Sequence, residues 1–262
     1  MTTAQVPVGT LLRQWREHRR LSQSDLSLQA DISTRHLSFV ETGRALPSRD
    51  MVLLLAESLD LPLRDRNRML LAAGFAPMHG QSTLDSDRMV PVDVAVRRLL
   101  RGHDPYPAAL VDGGWRMVEA NAALRAMLAG IAPRLLHPPV NILRASLHPD
   151  GLAPRIVNLA QWREHVLARL RRKITLTADD ALGELYDELC SYPGDIPRPT
   201  PPGPDEVLVP LRLRDPDGEL SFLGTITGFG GALDVTVAEL SVEALHPADE
   251  HTAAVLRSRA AA

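Results

Sequence analysis

The sequence has a single cysteine, Cys190, and only 4% of its 262 residues are aromatic. One cysteine forms no disulfide within the chain and provides too few thiolates for a cysteine-rich zinc site. Long apolar runs are also missing, because the longest extends from about Met51 to Ala56, against the roughly 18 residues that a membrane-spanning helix needs. We therefore expect a fold held together by neither disulfide nor metal, with no segment in a membrane.

Residues 1–5 lack the basic segment and apolar stretch of a secretory signal, so we expect a cytoplasmic location. With 45% hydrophobic and 23% charged residues, the composition excludes a disordered or fibrous chain. At roughly 100 to 200 residues per domain, the length favours two domains. The expected boundaries are residues 1–79, a connecting helix or linker at residues 80–103, and residues 104–262.

The two parts of the chain differ in the sign of their charge. Residues 1–79 carry 10 arginines and 8 acidic residues, a charge of +2, whereas the remainder has 19 basic and 24 acidic residues, a charge of −5. A charge of +2 does not by itself identify a nucleic-acid binder. The positions of the basic residues must therefore decide the function of this part.

The spacing of apolar residues predicts five short helices in the first 75 residues. The helices are expected at Val8–Arg19, Gln23 to near Ala30, Thr34 to about Glu41, from Ser48 onward, and Leu63–Ala73. Ser22 followed by Asp25 is typical of a capping box, Ser33 is a typical N-cap, and Gly43 ends the third helix. The sequence thus predicts two short helices joined by a tight turn within an all-α bundle.

The segment Leu21–Ser48 resembles the phage-repressor-like helix-turn-helix of the Xre family of DNA-binding regulators. The resemblance depends on joint spacing: Leu21-Ser-Gln23 opens one helix, Ala30, Ile32 and Ser33 surround the turn, and Glu41-x-Gly43 and Pro47-Ser48 follow. Asp31 stands where the family usually has a glycine with positive φ, a conformation that aspartate tolerates better than most residues.

The family geometry implies a role for each exposed residue of this motif. The third helix lies in the major groove, and arginine there makes bidentate contacts to guanine. The resemblance implies base contacts for Thr34, Arg35 and Ser38, and phosphate contacts for Gln23, Ser33, His36 and Arg44. It also implies an ion pair between Arg16 and Glu41, with Trp15, Leu37 and Val40 in the core. The alternative to a DNA contact is helix capping alone for Gln23 and Ser33. For Arg35 and Arg44 the alternative is an ordinary solvated arginine at the surface.

The sequence after Asp104 predicts a mixed α+β domain. Residues 104–124 read as strand, Asp-Gly-Gly turn, strand and an Asn-capped helix. Further helices are expected at Ile156–Ile174 and Ala181–Ser191, followed by the interruption Pro193–Pro204. Strands are expected at Glu206–Arg214, Leu220–Phe229 and Leu233–Leu245, forming an antiparallel meander.

This domain resembles a PAS-like sensor of the MmyB-like type, a domain that is usually fused to this helix-turn-helix. The matching stretches are Arg35–Arg44, Gly102–Pro107, Pro139–Arg144, Leu147–Leu152 and Arg155–Asn158 with Trp162. What the resemblance implies is a regulator with an apolar pocket for a small effector such as a fatty acid or a similar acyl compound. The predicted fold class is therefore two domains, an all-α helix-turn-helix bundle and an α+β PAS-like domain.

Pockets of this kind are mostly apolar with a few convergent polar groups. Candidate pocket aromatics are Tyr106, Trp115, Trp162 and Phe222, and candidate polar anchors are Asn141, Arg144, Arg155 and Asn158. The alternative for the aromatics is ordinary core packing, and for the polar residues it is loop capping and surface pairing.

No chemistry of an enzyme is evident in the sequence. Gly228-Phe-Gly-Gly231 precedes a strand-like segment, which favours a hairpin turn over a phosphate loop. His246 and His251 match no metal motif, and no nucleophile elbow is present, so we expect no catalysis, no metal and no cofactor. We expect a homodimer on a double-stranded DNA operator. The alternative is a protein-interaction module, as in an antitoxin or adaptor, whose helical domain docks another protein.

Overall fold

The computed structural model describes residues 6–194 and 208–261. The chain forms two compact units, the first of which runs to Ser82 and includes Ala232–Val235, while the second holds the rest of the chain. The first unit is helical, and the second combines helices with one five-stranded sheet. The predicted two-domain class, all-α followed by α+β, is confirmed.

The first unit contains the five predicted helices. They are α1 (Val8–His18), α2 (Gln23–Gln29), α3 (Thr34–Glu41), α4 (Arg49–Ser58) and α5 (Leu63–Ala72). The capping box is confirmed, since the Ser22 hydroxyl accepts from the Asp25 amide and the Asp25 carboxylate accepts from the Ser22 amide. Ser33 caps α3 by accepting from the His36 amide, and Gly43 has a φ of +73° after α3. Local signals thus define the ends of these helices.

The core of the first unit consists of leucines and other aliphatic residues from all five helices. Leu12, Leu26, Leu37, Leu55 and Leu70 are fully buried and belong to one cluster. The predicted core positions Trp15, Leu37 and Val40 are all buried, which confirms the inward face assigned to α3. The opposite face of α3 is therefore left for other contacts.

The second unit has seven α-helices and five strands in its described residues. The elements are α6 (Val90–Gly102), β1 (Ala108–Val111), β2 (Met117–Ala120), α7 (Ala122–Met127), α8 (Ile142–Leu147), α9 (Leu159–Thr177), α10 (Asp180–Ser191), β3 (Leu211–Asp215), β4 (Gly218–Gly228), α11 (Val235–Glu239), β5 (Ser241–Pro247) and α12 (Glu250–Ala261). The strand order is β2-β1-β5-β4-β3, with every neighbouring pair antiparallel.

Alternating residues of this sheet enter two different apolar clusters. Val111, Leu213 and Phe222 share a cluster with residues of α9 and α10. Leu110 and Val242, which face each other across β1 and β5, lie in a second cluster with Val96 and Leu100 of α6. Because side chains alternate along a strand, both faces of the sheet contribute to burial.

Some boundaries in the second unit differ from the predictions. The strand predicted at Leu233–Leu245 is wrong in its first half, where α11 precedes β5. Its β-branched residues favour a strand, but the helical turn buries Val235 and Leu240, and tertiary packing overrides local preference. The long helix begins at Leu159 because Ile156 forms an isolated bridge with Leu213.

Besides α11, the sequence prediction lacks two further helices, namely α8 and α12. The meander β3-β4-β5 is confirmed, with α11 between its last two strands. The strand predicted from Glu206 begins at Leu211 among the described residues, and residues 206–207 lie outside them. Most of the interruption Pro193–Pro204 also lies outside the described residues.

One close approach between α1 and α3 requires a glycine. A Cβ atom at Gly9 would lie 2.3 Å from the Val40 carbonyl oxygen and 2.8 Å from that of Glu41. Both atoms belong to the backbone, so neither helix can relieve the clash by turning a side chain. The absence of a side chain at Gly9 therefore sets the distance between these helices.

Replacing Gly9 by alanine is expected to destabilise the first unit by about 1–3 kcal/mol, because the added methyl group forces the helices apart. Gly102→Ala is the matched control, since a Cβ there meets no atom within 4 Å. Urea denaturation followed by circular dichroism measures both. Equal stability of the two variants would contradict the close packing described for α1 and α3.

Candidate functional site

The exposed start of α3 forms the first candidate site. Leu37 and Val40 are buried beneath it, while Thr34 and Arg35 are exposed and Ser38 is half-buried. The turn before α3 contains Asp31 with a φ of +50°, so the predicted left-handed residue is confirmed. This turn places the first residues of α3 at the surface of the unit.

A buried carboxylate joins α3 to the two helices before it. Both Glu41 carboxylate oxygens accept from Arg16, Oε1 from Nε at 2.6 Å and Oε2 from Nη2 at 3.0 Å. Oε2 also accepts from Nε2 of Gln23 at 2.8 Å. The Glu41 side chain is only 2% exposed, and the predicted ion pair with Arg16 is confirmed. The hydrogen bond to Glu41 raises the pKa of Arg16.

Other residues expected at the DNA have contacts within the protein. The Thr34 hydroxyl lies 2.8 Å from that of Ser27, and the Arg35 guanidinium lies 5.4 Å from the centre of the Phe39 ring. Ser33 caps α3 through its hydroxyl, and Gln23 is held by Glu41. His36 is half-buried at the start of α3, whereas Arg44 is exposed beyond its end. These contacts fix the side chains near the first turn of α3.

The second candidate site is a cavity of about 450 Å³ in the second unit. Its apolar wall includes Met127 from α7, Leu213 from β3, Phe222 from β4 and Leu256 from α12. Alanines 122, 123, 126 and 260 also line the cavity, and their small side chains leave its volume open. The cavity has the size and apolar lining of a small-molecule site.

Charged groups lie at the cavity wall beside these apolar residues. Asp215 lines the cavity with its side chain only 6% exposed, and one carboxylate oxygen lies 3.5 Å from Nη2 of Arg155. The same carboxylate accepts a hydrogen bond from Nη2 of Arg259. Burial raises the pKa of Asp215, but the hydrogen bonds from Arg259 and from the Asp217 amide, together with the charges of Arg259 and Arg155, outweigh burial, so the pKa lies below its ordinary value. Asp215 is therefore a charged bridge between two arginines.

The eight residues expected at the pocket do not form one group. Arg155 and Phe222 line the cavity, whereas the other six are not among its lining residues. Asn141 caps α8 and donates to the Gly114 carbonyl, and Arg144 pairs with Glu188 at 2.6 Å. The Asn158 side chain donates from Nδ2 to the Pro210 carbonyl, just before β3, and its Oδ1 accepts from the Arg212 amide within β3.

The three remaining aromatic candidates also have partners in the second unit. Trp115 is buried and donates from Nε1 to Glu243, with the Arg169 guanidinium and the Lys173 ammonium within 6 Å of its ring. Trp162 is buried and donates to the Ser146 hydroxyl. Tyr106 is half-buried, with its ring edge against His103. These contacts within the second unit explain the positions of the three rings without a ligand.

Sequence reasoning missed most residues that line the cavity. Asp104, Asp215 and Arg259 carry its other charged groups, and they come from segments far apart in the chain. No spacing pattern connects such positions. The turn signal Asp215-Pro-Asp-Gly218 predicted a hairpin but gave no sign that Asp215 faces a cavity.

Two protein families match the two units. Residues 12–65 match the family model of a helix-turn-helix, and residues 92–258 match that of the MmyB-like transcription regulator ligand binding domain. This pair of domains defines a DNA-binding transcription regulator with a ligand-binding domain. Because the second match covers more than half of the chain, the protein belongs to the MmyB-like transcription regulator family. No curated protein matches the sequence.

Among the described residues, no group of three or more His, Cys, Asp or Glu side chains is placed to hold a metal ion. Within residues 6–194 and 208–261, no helix has the length and apolar character to cross a bilayer.

Replacing Glu41 by alanine is expected to cost about 3–5 kcal/mol of stability, because Arg16 would remain buried without its counter-charge. Arg13→Ala is the control, since the Arg13–Glu17 pair is exposed and pairs of that kind contribute about 0–1 kcal/mol. Urea denaturation compares the stability of the two variants. A loss at Glu41 no larger than at Arg13 would disprove the structural role of the buried carboxylate.

Replacing Ala123 by tryptophan is expected to fill the cavity and lower the affinity for a neutral apolar probe, N-phenyl-1-naphthylamine, at least tenfold. Ala129→Trp is the matched control, because Ala129 is exposed just beyond α7 and does not line the cavity. Fluorescence titration measures both affinities. An unchanged affinity in the Ala123 variant would show that the probe binds elsewhere.

Proposed function

We propose that this protein is a one-component transcription regulator that binds a specific DNA operator and responds to a small apolar effector. The observation that carries the proposal is the exposed first turn of α3, held in place by the buried Arg16–Glu41–Gln23 network. In the helix-turn-helix arrangement, this turn enters the major groove. The ligand-binding domain supplies the second site that a one-component regulator needs.

The contacts with DNA follow from the exposed groups. Arg35 presents a planar guanidinium suited to bidentate contact with guanine O6 and N7. Thr34 offers its methyl group to thymine while its hydroxyl binds Ser27, and Ser38 is the third base-contacting residue. Gln23, Ser33, His36 and Arg44 contact phosphates, which positions the protein without reading sequence.

The effector occupies the cavity between α7, α12 and the sheet. Its apolar lining favours an apolar molecule such as an acyl compound, and Arg155 and Phe222 are contacts that the sequence already pointed to. Because both matching families are families of transcription regulators, we expect the protein to bind its effector without converting it chemically. We also expect the protein to act in the cytoplasm, where the chromosome lies.

The active form is a homodimer. Operators of this motif class have two half-sites about one helical turn of DNA apart, and each needs a recognition helix. Two chains bound to one duplex satisfy this geometry. An effector that binds one conformation of the dimer better than another changes operator affinity by that difference.

Replacing Arg35 by alanine is expected to weaken binding to the operator by about 1–3 kcal/mol and to relax specificity at one base position, because a base contact is lost. Arg44→Ala should instead weaken binding to all sequences about equally and lower the salt dependence by about one charge. Fluorescence anisotropy on an operator obtained by in vitro selection, and on a scrambled duplex, measures both variants.

Two outcomes would contradict the proposal. An equal loss on both duplexes in the Arg35 variant would exclude base reading by this side chain. Wild-type affinity that does not fall as salt rises would exclude the counterion release of DNA binding and would favour the protein-interaction module instead.

A further inference from the structure

The C-terminal helix α12 forms one wall of the cavity. Leu256, Arg259 and Ala260, all from its second half, line the cavity together with residues of α7 and the sheet. A molecule bound in the cavity would therefore contact α12 directly. The way in which α12 is attached determines whether this wall can move.

The first half of α12 is fixed by buried contacts. Thr252 is fully buried, and its hydroxyl accepts from the Ser221 amide of β4 at 2.9 Å. The Thr252 amide in turn donates to the Asp249 carboxylate at 2.7 Å, and Ala253 is buried beside it. The first half of α12 is therefore the fixed point about which the second half could move.

The second half of α12 is attached through charges. Every residue of the helix after Leu256 is exposed, and Leu256 itself is its last buried residue. Arg259 pairs with both Asp215 and Asp217, and its side chain is 43% exposed. Arg257 pairs with Glu250 on the same helix. Partly exposed ion pairs contribute little to stability, so uncovering Leu256, which packs in the apolar cluster of the second unit, is the main cost when this half separates.

The partner of Arg259 belongs to the cavity itself. Asp215 lines the cavity and is also paired with Arg155, which lines it too. When Arg259 leaves, Arg155 still neutralises Asp215, so no buried charge is left without a partner. The Arg155–Asp215 pair therefore makes release of Arg259 less costly than breaking an isolated buried pair.

We propose that the second half of α12 is the gate of the cavity and that the ion pair of Arg259 with Asp215 is its latch. The ligand enters when this pair separates and the helix moves away from the sheet while Thr252 stays in place. The proposal depends on the proposed function, in which the cavity holds the effector. It adds a route of entry and a link between occupancy and the position of α12.

Arg259→Gln is the test variant, because it removes the charge at an exposed position and leaves the apolar lining intact. Arg212→Gln is the matched control. Arg212 pairs with Glu219 at 2.6 Å in the same β3–β4 hairpin, its side chain is 44% exposed, and it does not line the cavity.

Stopped-flow fluorescence with N-phenyl-1-naphthylamine measures entry and release in the full-length protein. We expect both rates to rise at least threefold in the Arg259 variant and to stay at the wild-type values in the Arg212 variant. Hydrogen exchange should become faster in residues 256–261 of the Arg259 variant only. Unchanged rates, or equal changes in both variants, would overturn the gate.

Salt provides a second measurement that needs no variant. The probe is uncharged, so salt acts on its entry mainly by screening the latch. Wild-type rates should therefore rise with salt toward those of the Arg259 variant, whose own rates stay nearly constant. A wild-type rate that is independent of salt would contradict the latch.

Failure of the gate and failure of the proposed function have different signatures. If the probe binds, and Ala123→Trp weakens it, but Arg259→Gln leaves the rates unchanged, the effector cavity stands and the gate is wrong. If the probe fails to bind the wild-type protein, or binds equally well to Ala123→Trp, the cavity is not the site of an apolar effector, and that part of the proposed function and the gate are both wrong.

Discussion

The DNA-binding unit depends on the buried carboxylate of Glu41. A buried charge is tolerated only when its hydrogen-bonding capacity is filled, and here Arg16 and Gln23 fill it from α1 and α2. The three helices therefore meet at one side chain at the end of α3. Gly9 allows α1 to approach the same end of α3 at backbone distance. The position of Arg35 relative to the rest of the unit follows from these two constraints.

The second unit uses a similar charge arrangement under different exposure. Asp215 is buried like Glu41, but its partner Arg259 is 43% exposed, whereas Arg16 is 10% exposed. Breaking the Arg16–Glu41 pair leaves a charge unpaired in the interior. Breaking the Arg259–Asp215 pair releases an arginine that already reaches solvent. The same chemistry thus suits the proposed DNA contacts, which need a fixed surface, in one unit and the proposed gate, which needs a movable wall, in the other.

The helix-turn-helix could be predicted from the sequence because its determinants are local. Ser22, Ser33 and Gly43 act within a turn of their own helices, and the Arg16–Glu41 pair followed from the resemblance to a family. Apart from Arg155 and Phe222, the lining of the cavity could not be predicted, because it comes from segments that are far apart in the chain. Polar residues that resembled free anchors, such as Asn141 and Arg144, are used to cap α8 and to pair with Glu188. Local preference also failed at α11, where burial of Val235 and Leu240 decided the conformation.

The central claim is that occupancy of the cavity and binding of the operator are coupled in one protein. Native mass spectrometry of the full-length protein with a selected operator duplex, added at half the amount needed for saturation, tests it directly. Because coupling between two sites is reciprocal, the fraction of protein that carries a small molecule must differ between DNA-bound and DNA-free forms. We expect two chains per duplex, and we expect the small molecule to occupy different fractions of the DNA-bound and the DNA-free protein. Equal occupancy, or no bound molecule in either form, would contradict it.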